Sequence, residues 1–85
     1  MTIESGCIER GMKYSPLDDI SGQGRTSESN ANACQKRCEN TGDCSFFSFW
    51  DDGGCHLSSK AATKVNGPGV SSGPKVCPGN TFINQ

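Results

Sequence analysis

The stretch that decides the fold is residues 34–57, which read CQKRCENTGDCSFFSFWDDGGCHL. It contains four of the six cysteines, three of the four phenylalanines and the single tryptophan. Cys34 and Cys38 are four residues apart, so on a helix both side chains leave the same face. The aromatic run that follows alternates as a strand does, and the Asp and Gly residues at 51–54 favour a hairpin turn. The stretch therefore predicts a helix, a strand, a tight turn and a return strand.

The predicted helix spans about residues 30–40. Ser27 or Ser29 is its candidate N-cap, because a serine hydroxyl can accept a hydrogen bond from a free amide of the first turn. Gly42 can end the helix in the left-handed conformation that glycine adopts easily. We expect one short helix whose cysteine face packs on the strands.

The aromatic strand has two faces. Phe47 and Phe49 share one face, and Trp50 points to the other. The return strand carries Leu57. We expect Phe47, Phe49 and Leu57 to form the core beneath the helix, with Trp50 on the opposite side of the sheet.

The rest of the chain predicts less regular structure. Residues 1–22 are interpreted as a strand-and-turn region and residues 23–30 as an exposed polar loop. From residue 66 the chain is rich in Gly and Pro, which favour turns, and an edge strand is predicted at 75–77. These features predict one domain at residues 7–77, an N-terminal flank at 1–6 and a linker or tail at 78–85.

The composition predicts a thin hydrophobic core. Ile, Leu, Val and Phe make up 13 of the 85 residues, about 15%, against the roughly 20% typical of ordered chains. The conformational entropy lost on folding costs about 130 kcal/mol at roughly 1.5 kcal/mol per residue. Burial of so few apolar side chains offsets this cost with little net stabilisation left. The net charge of −1 argues against disorder, which usually accompanies high net charge. Six cysteines are the natural source of the missing stability, and they predict a cross-linked extracellular module.

Six cysteines allow 15 pairings, and the sequence alone does not select one. Spacing favours a short loop after the helix and a link from the helix to the return strand. The pairs favoured in this way are Cys38–Cys44 and Cys34–Cys55, which leaves Cys7–Cys77. Zinc binding is disfavoured because the chain has no Cys-x2-Cys pair, and a catalytic cysteine with His56 as its base has no third, orienting group. We expect no metal, no cofactor and no catalytic activity.

Charge and hydropathy exclude further classes. A net charge of −1 offers no basic surface for nucleic acid. No apolar run approaches the roughly 20 residues that cross a bilayer, so direct membrane insertion is not expected. The first 15 residues contain no apolar signal segment, although the cysteines indicate secretion. We therefore expect a domain excised from a longer secreted protein.

The cysteine and aromatic pattern resembles the PAN/apple domain family. The motifs that carry the resemblance are Cys34-x3-Cys38, Cys44-x2-Phe47-x-Phe49 and Cys55-x-Leu57, between the outer cysteines Cys7 and Cys77. The resemblance implies an α+β fold, a small disulfide-rich module with about five antiparallel strands crossed by one helix. It implies the disulfides Cys7–Cys77, Cys34–Cys55 and Cys38–Cys44. Residues 11–14, followed by 19–20, are similar to the first hairpin of the family.

Within this family the chain is most similar to one repeat of a coccidian (apicomplexan) microneme adhesin with tandem apple domains. That resemblance implies a non-catalytic, secreted adhesion module of the microneme, used in attachment to or invasion of host cells. Its implied partners are a host cell-surface protein or glycan, or another microneme adhesin. The alternative is an apple domain in the regulatory, substrate-docking part of a protease zymogen.

The candidate ligand contacts are Trp50, Tyr14, Arg25 and Lys60. Trp and Tyr suit recognition surfaces because they combine apolar area with a polar tip. The alternative for each residue is a structural role. Trp50 would then cover the outer face of the sheet, and Tyr14 would be a partly buried residue of the first hairpin. Basic side chains can contact an acidic glycan if the fold gathers them, or they form a scattered solvated surface. The basic residues in question are Arg25, Arg37, Lys60 and Lys64.

Overall fold

The computed structural model describes residues 7–77, and the predicted flank at 1–6 and tail at 78–85 lie outside the described residues. One helix and five strands are present in this part of the chain: β1 (Glu9–Ser15), β2 (Thr26–Ser27), α1 (Ala31–Glu39), β3 (Phe46–Trp50), β4 (Gly54–Ser58) and β5 (Thr63–Pro74). The strands form an antiparallel sheet in the order β1-β5-β3-β4-β2, and α1 packs against β3, β4 and β5. The predicted α+β fold, with five strands and one helix, is confirmed.

Both ends of α1 differ in detail from the prediction. Asn30 is the N-cap, because its side-chain oxygen accepts a 2.8 Å hydrogen bond from the amide of Ala33. The predicted serine caps are wrong, and Ser27 belongs to β2. At the other end Asn40 is the C-cap with a φ of −87°, so the helix ends without a left-handed glycine at Gly42.

The β3–β4 hairpin agrees with the prediction from the aromatic run. Phe47 pairs with Leu57 and Phe49 pairs with Cys55 across the ladder, so these four side chains share one face. Residues 51–53 form the turn, and the amide of Gly53 donates to the carbonyl of Trp50 at 2.9 Å. Local signals were sufficient here because both strands and the turn are adjacent in sequence.

The longest strand lies where glycine and proline predicted turns. β5 runs for 12 residues and pairs with both β1 and β3, whereas the predicted edge strand at 75–77 is wrong. The expected first hairpin is also wrong, because β1 pairs with β5 instead of with the residues that follow it. At Gly73 a Cβ would approach the carbonyl oxygen of Cys7 to 2.9 Å, so glycine here permits close backbone approach.

The core lies between α1 and the sheet. Its fully buried members include Phe47 and Leu57, and Phe49 is partly buried and packs against the same cluster. Four half-cystines complete the cluster together with Ile20; these half-cystines are Cys34, Cys38, Cys44 and Cys55. Because four of the seven members of this cluster are half-cystines, few aliphatic residues suffice for the core.

Three disulfides connect the elements. One joins α1 to β4, one closes the loop after α1, and one joins the two ends of the described chain. They are Cys34–Cys55, Cys38–Cys44 and Cys7–Cys77, the pairing that the family resemblance implies. In the chain-entropy model the 70-residue separation of the outer pair corresponds to about 4 kcal/mol of stabilisation.

On the sheet face opposite α1, the backbone of residues 12–16 lies against β3, β4 and β5. These residues are the second half of β1 and the residue just after it. Three buried serines hold this segment through its backbone, and each forms one hydrogen bond to it. The contacts are Ser48 with Tyr14 (3.0 Å), Ser58 with Pro16 (2.8 Å) and Ser72 with Met12 (2.6 Å). Both faces of the sheet are therefore at least partly occupied, one by α1 and the other by the backbone of residues 12–16.

Candidate binding surface

Three loops form a groove of about 480 Å³ beside the end of β4. We call it the loop groove, and its walls come from residues 19–21, residues 42–45 and residues 59–61. The first loop follows β1, the second follows α1 and the third follows β4. The Cys38–Cys44 disulfide closes the second loop, so one wall of the groove is braced covalently.

Asp19 is the fixed polar group of the loop groove. Its two carboxylate oxygens accept hydrogen bonds from the hydroxyl and the amide of Ser59, both at 2.7 Å. The hydrogen bonds from Ser59 lower the pKa of Asp19 below its usual value. The groove thus contains an ionised and oriented carboxylate, which retains lone pairs for hydroxyl or amine donors of a ligand.

Lys60 and Ile20 supply the other chemistry of the loop groove. Lys60 is exposed at the rim and forms no hydrogen bond or ion pair within residues 7–77. Ile20 is 7% exposed and gives the groove an apolar floor. Together with Asp19 they provide an acceptor, a movable cation and an apolar surface, which suits a ligand with several polar groups.

A second group of side chains lies on the sheet face opposite α1, near the β3–β4 turn. We call it the Trp50 cluster, and its members are Asp18, Arg25, Trp50 and His56. The His56 ring meets the Trp50 ring edge-on with centroids 4.9 Å apart, and its Nδ1 donates to Asp18 Oδ2 at 2.8 Å. The neighbouring amide of Asp18 donates to the carbonyl of Leu57, which fixes the loop to β4.

Arg25 joins this cluster through the short strand β2. Thr26 pairs with Cys55 and Ser27 with Gly54, so Arg25 lies beside His56 at the edge of the sheet. Its guanidinium covers Gly54, where a Cβ would stand only 2.6 Å from Nε and 2.9 Å from Nη2. Gly54 and His56 alternate onto one face of β4, so the guanidinium lies on the same sheet face as the His56 ring, which contacts the ring of Trp50.

The structure therefore divides the four predicted ligand contacts. Trp50 and Arg25 lie on one sheet face near the β3–β4 turn, whereas Lys60 lies beyond the other end of β4, in the loop groove. Tyr14 is only 8% exposed because its ring stacks on Phe46 with centroids 4.1 Å apart. That burial leaves the ring little surface for a ligand.

The remaining basic candidates have structural partners. Arg37 forms four hydrogen bonds that bind the segment 23–26 and the carbonyl of Cys55 to α1. Lys64 pairs with Glu9 across the β1–β5 ladder. The basic side chains are thus distributed over the surface and are not gathered into one patch.

Sequence reasoning missed the two pairs that organise these surfaces. Asp19 and Ser59 are 40 residues apart, and Asp18 and His56 are 38 residues apart. No spacing rule connects them, and the adjacent aspartates at 18 and 19 were the only local signal. Within residues 7–77 no group of three or more His, Cys, Asp or Glu side chains is placed to hold a metal, and no helix there is long and apolar enough to cross a membrane.

Comparison with known proteins agrees with this architecture. The sequence model of the PAN domain matches residues 12–77. This chain is also 31% identical to Micronemal protein 4 of Toxoplasma gondii over 81 residues, which are 94% of its length. The match spans 14% of the length of that relative. With its helix, five-stranded sheet and three disulfides, the chain belongs to the PAN domain family.

Proposed function

We propose that this domain is a non-catalytic extracellular recognition module that binds a protein or a carbohydrate through its loops. The observation that carries the proposal is the loop groove, in which an oriented carboxylate, an unpaired lysine and an apolar floor converge. Membership of the PAN domain family and similarity to a micronemal protein support it.

The division of labour in the fold also supports recognition. The disulfides and the core between α1 and the sheet form a rigid scaffold. The groove is built from three loops, and each loop begins at a helix or strand of that scaffold. A rigid frame lowers the entropy that binding would otherwise cost, because the loops are partly ordered before the ligand arrives. Rigid scaffolds that present loops are a common basis of recognition.

The proposed location and biological role draw support from the disulfides and from the same comparisons. Three disulfides suit a secreted protein, since such bonds persist in oxidising compartments. The similarity to a micronemal protein supports placement in the microneme and a role in attachment to or invasion of host cells. In that setting the module spans residues 7–77, with 1–6 as an N-terminal flank and 78–85 as a linker or tail. Several such domains in one protein would add avidity to weak single sites.

The test uses the domain displayed as a tetramer, so that weak single-site binding is detected. A glycan array and a pull-down from biotinylated host-cell surface proteins are read with the wild type, with Lys60→Ala and with Lys36→Ala. Lys36 is a matched control because its exposed side chain lies on α1, away from the groove. We expect a ligand in one of the two assays, with binding about tenfold weaker for Lys60→Ala and unchanged for Lys36→Ala. Absence of any ligand contradicts the recognition role, and a ligand insensitive to Lys60→Ala contradicts the groove.

A further inference from the structure

We propose that the Trp50 cluster is a second contact site and that it binds a carboxylate side chain on an acidic segment of a protein partner. This inference rests on the proposed recognition function and names the chemistry of one partner. Its foundation is the state of the three arginines, which differ sharply in how many of their donors are used.

Two arginines are committed to the fold. Arg10 forms a two-pronged pair with Asp51, both contacts at 2.7 Å, and a third bond to Ser71 at 3.1 Å. Arg37 donates four hydrogen bonds of 2.7–3.1 Å, all to groups of its own chain. A guanidinium carries five N–H donors, so both arginines use most of their capacity internally.

Arg25 is the exception in the described part of the chain. Its one side-chain bond runs to Asp52 at 3.4 Å, and 45% of its side chain is exposed. Charge-assisted N–H···O bonds are normally 2.7–2.9 Å long, so this contact is weak. Asp52 is held back because its Oδ1 also accepts the amide of Gly54 at 3.0 Å, which ties it to the turn. The guanidinium fork of Arg25 therefore remains available for a second carboxylate.

The surroundings of Arg25 favour a protein partner. The guanidinium is positioned over Gly54 on the sheet face that carries His56, and the His56 ring contacts the half-buried ring of Trp50. Trp and Arg are the side chains most often found at the energetic centre of protein interfaces. Neither the loop groove nor the shallow cavity lined by residues 18–24 includes Trp50 or Arg25. Small sugars are usually bound in concave sites, whereas an exposed guanidinium fork such as that of Arg25 is accessible to an extended protein segment.

The single tryptophan makes the test direct, because Trp50 fluorescence reports on this site alone. The folded domain is titrated with hexaglutamate peptide, with hexaglutamine as the neutral control and glucuronic acid as the acidic sugar. We expect a saturable change in Trp50 emission with hexaglutamate and none with the other two. Arg25→Gln should weaken hexaglutamate binding about tenfold or more.

Three further variants separate the guanidinium position from net charge. Gly54→Ala keeps the charge but displaces the guanidinium, and it should weaken binding as Arg25→Gln does. Asp52→Asn removes the competing carboxylate and leaves an oxygen for the Gly54 amide, so binding should tighten by severalfold. Lys36→Gln removes one positive charge on the opposite side of the sheet and should change nothing.

The assignment is overturned if Arg25→Gln binds hexaglutamate as the wild type does, if Lys36→Gln loses as much, or if hexaglutamine binds equally. Binding of glucuronic acid but not hexaglutamate, with the same dependence on Arg25, overturns the protein partner. These readouts do not use the glycan array, the pull-down or Lys60, so failure here is distinguishable from failure of the recognition role.

Discussion

The backbone amide of Tyr14 donates a 3.0 Å hydrogen bond to the hydroxyl oxygen of Ser48, which lies 34 residues further along the chain. Tyr14 is in β1, which pairs with β5, and Ser48 is in β3. An outermost strand normally leaves such groups to solvent or to another chain. Here Ser48 of β3 supplies the acceptor, while Ser58 and Ser72 donate to the carbonyls of Pro16 and Met12, so the three serines hold the backbone of residues 12–16 on the face of the sheet.

Replacing Ser48 by alanine should lower the free energy of unfolding by about 1–3 kcal/mol, because the buried Tyr14 amide loses its acceptor. Guanidinium unfolding monitored by Trp50 fluorescence measures the change. Ser29→Ala is the control, since Ser29 is exposed and should shift stability by less than about 0.5 kcal/mol. Equal stability of the two variants would show that the serine contact contributes nothing.

Asn30→Ala should cost about 1 kcal/mol through loss of the N-cap of α1. The reason is that the amide of Ala33 then has no side-chain acceptor at the start of the helix. The same unfolding measurement applies, again with Ser29→Ala for comparison. If Ser29→Ala lowered the free energy of unfolding more than Asn30→Ala does, Ser29 would be the N-cap, as the sequence suggested, and the assignment to Asn30 would be wrong.

Removing the outer disulfide with the paired changes Cys7→Ser and Cys77→Ser should destabilise the domain by about 4 kcal/mol. The near-UV circular dichroism of the folded form should nevertheless be retained, because the core cluster contains neither Cys7 nor Cys77. By contrast, replacing Cys34 and Cys55 removes a fully buried link between α1 and β4 and should abolish cooperative unfolding. A double variant at the ends that loses less than about 1 kcal/mol would refute the chain-entropy account.

Stability should fall in acid partly through Asp19. Its folded-state pKa is lowered by the hydrogen bonds from Ser59, so the ionised form is favoured in the folded protein. This contribution is complete above the unfolded pKa of about 3.9 and is lost as the pH falls through the lower folded-state value. Asp19→Asn should therefore flatten the decline in denaturant midpoint between about pH 5 and pH 2. If the denaturant midpoints of the wild type and of Asp19→Asn fell in parallel with decreasing pH, Asp19 would not contribute to the loss of stability in acid.

The elements that were predictable are those whose signals are local. The helix and the β3–β4 hairpin with its turn lie within one continuous stretch. Hydrophobic periodicity and turn residues determine the conformation of residues close to them in sequence, so these elements were predictable. β5 was missed because its glycine and proline residues favour turns in isolation. It becomes a strand because β1 and β3 both pair with it, and its partners lie as far as 63 residues away along the chain, as Glu9 does from Ser72.

The candidate site was only partly predictable for the same reason. Trp50 and Arg25 were identified by residue type, but the position of Arg25 on the face that carries His56 and Trp50 depends on the pairing of Thr26 with Cys55. Tyr14 was chosen on the same grounds, yet stacking on Phe46 buries it. Residue type indicates what a side chain can do, whereas pairing between distant strands decides whether it is exposed and what lies beside it.

The sequence by itself determined the framework of this protein: a thin core, six cysteines at spacings that suit a helix lying on a hairpin, and the family to which that pattern belongs. Only the tertiary structure decided the surfaces. It placed Asp19 on Ser59 and Arg25 over Gly54, and it made three buried serines hydrogen-bond partners of the backbone at residues 12–16. The physical reason is range: helix and hairpin signals act over a few residues, whereas these contacts join segments about 30–60 residues apart, whose meeting depends on how the whole sheet closes.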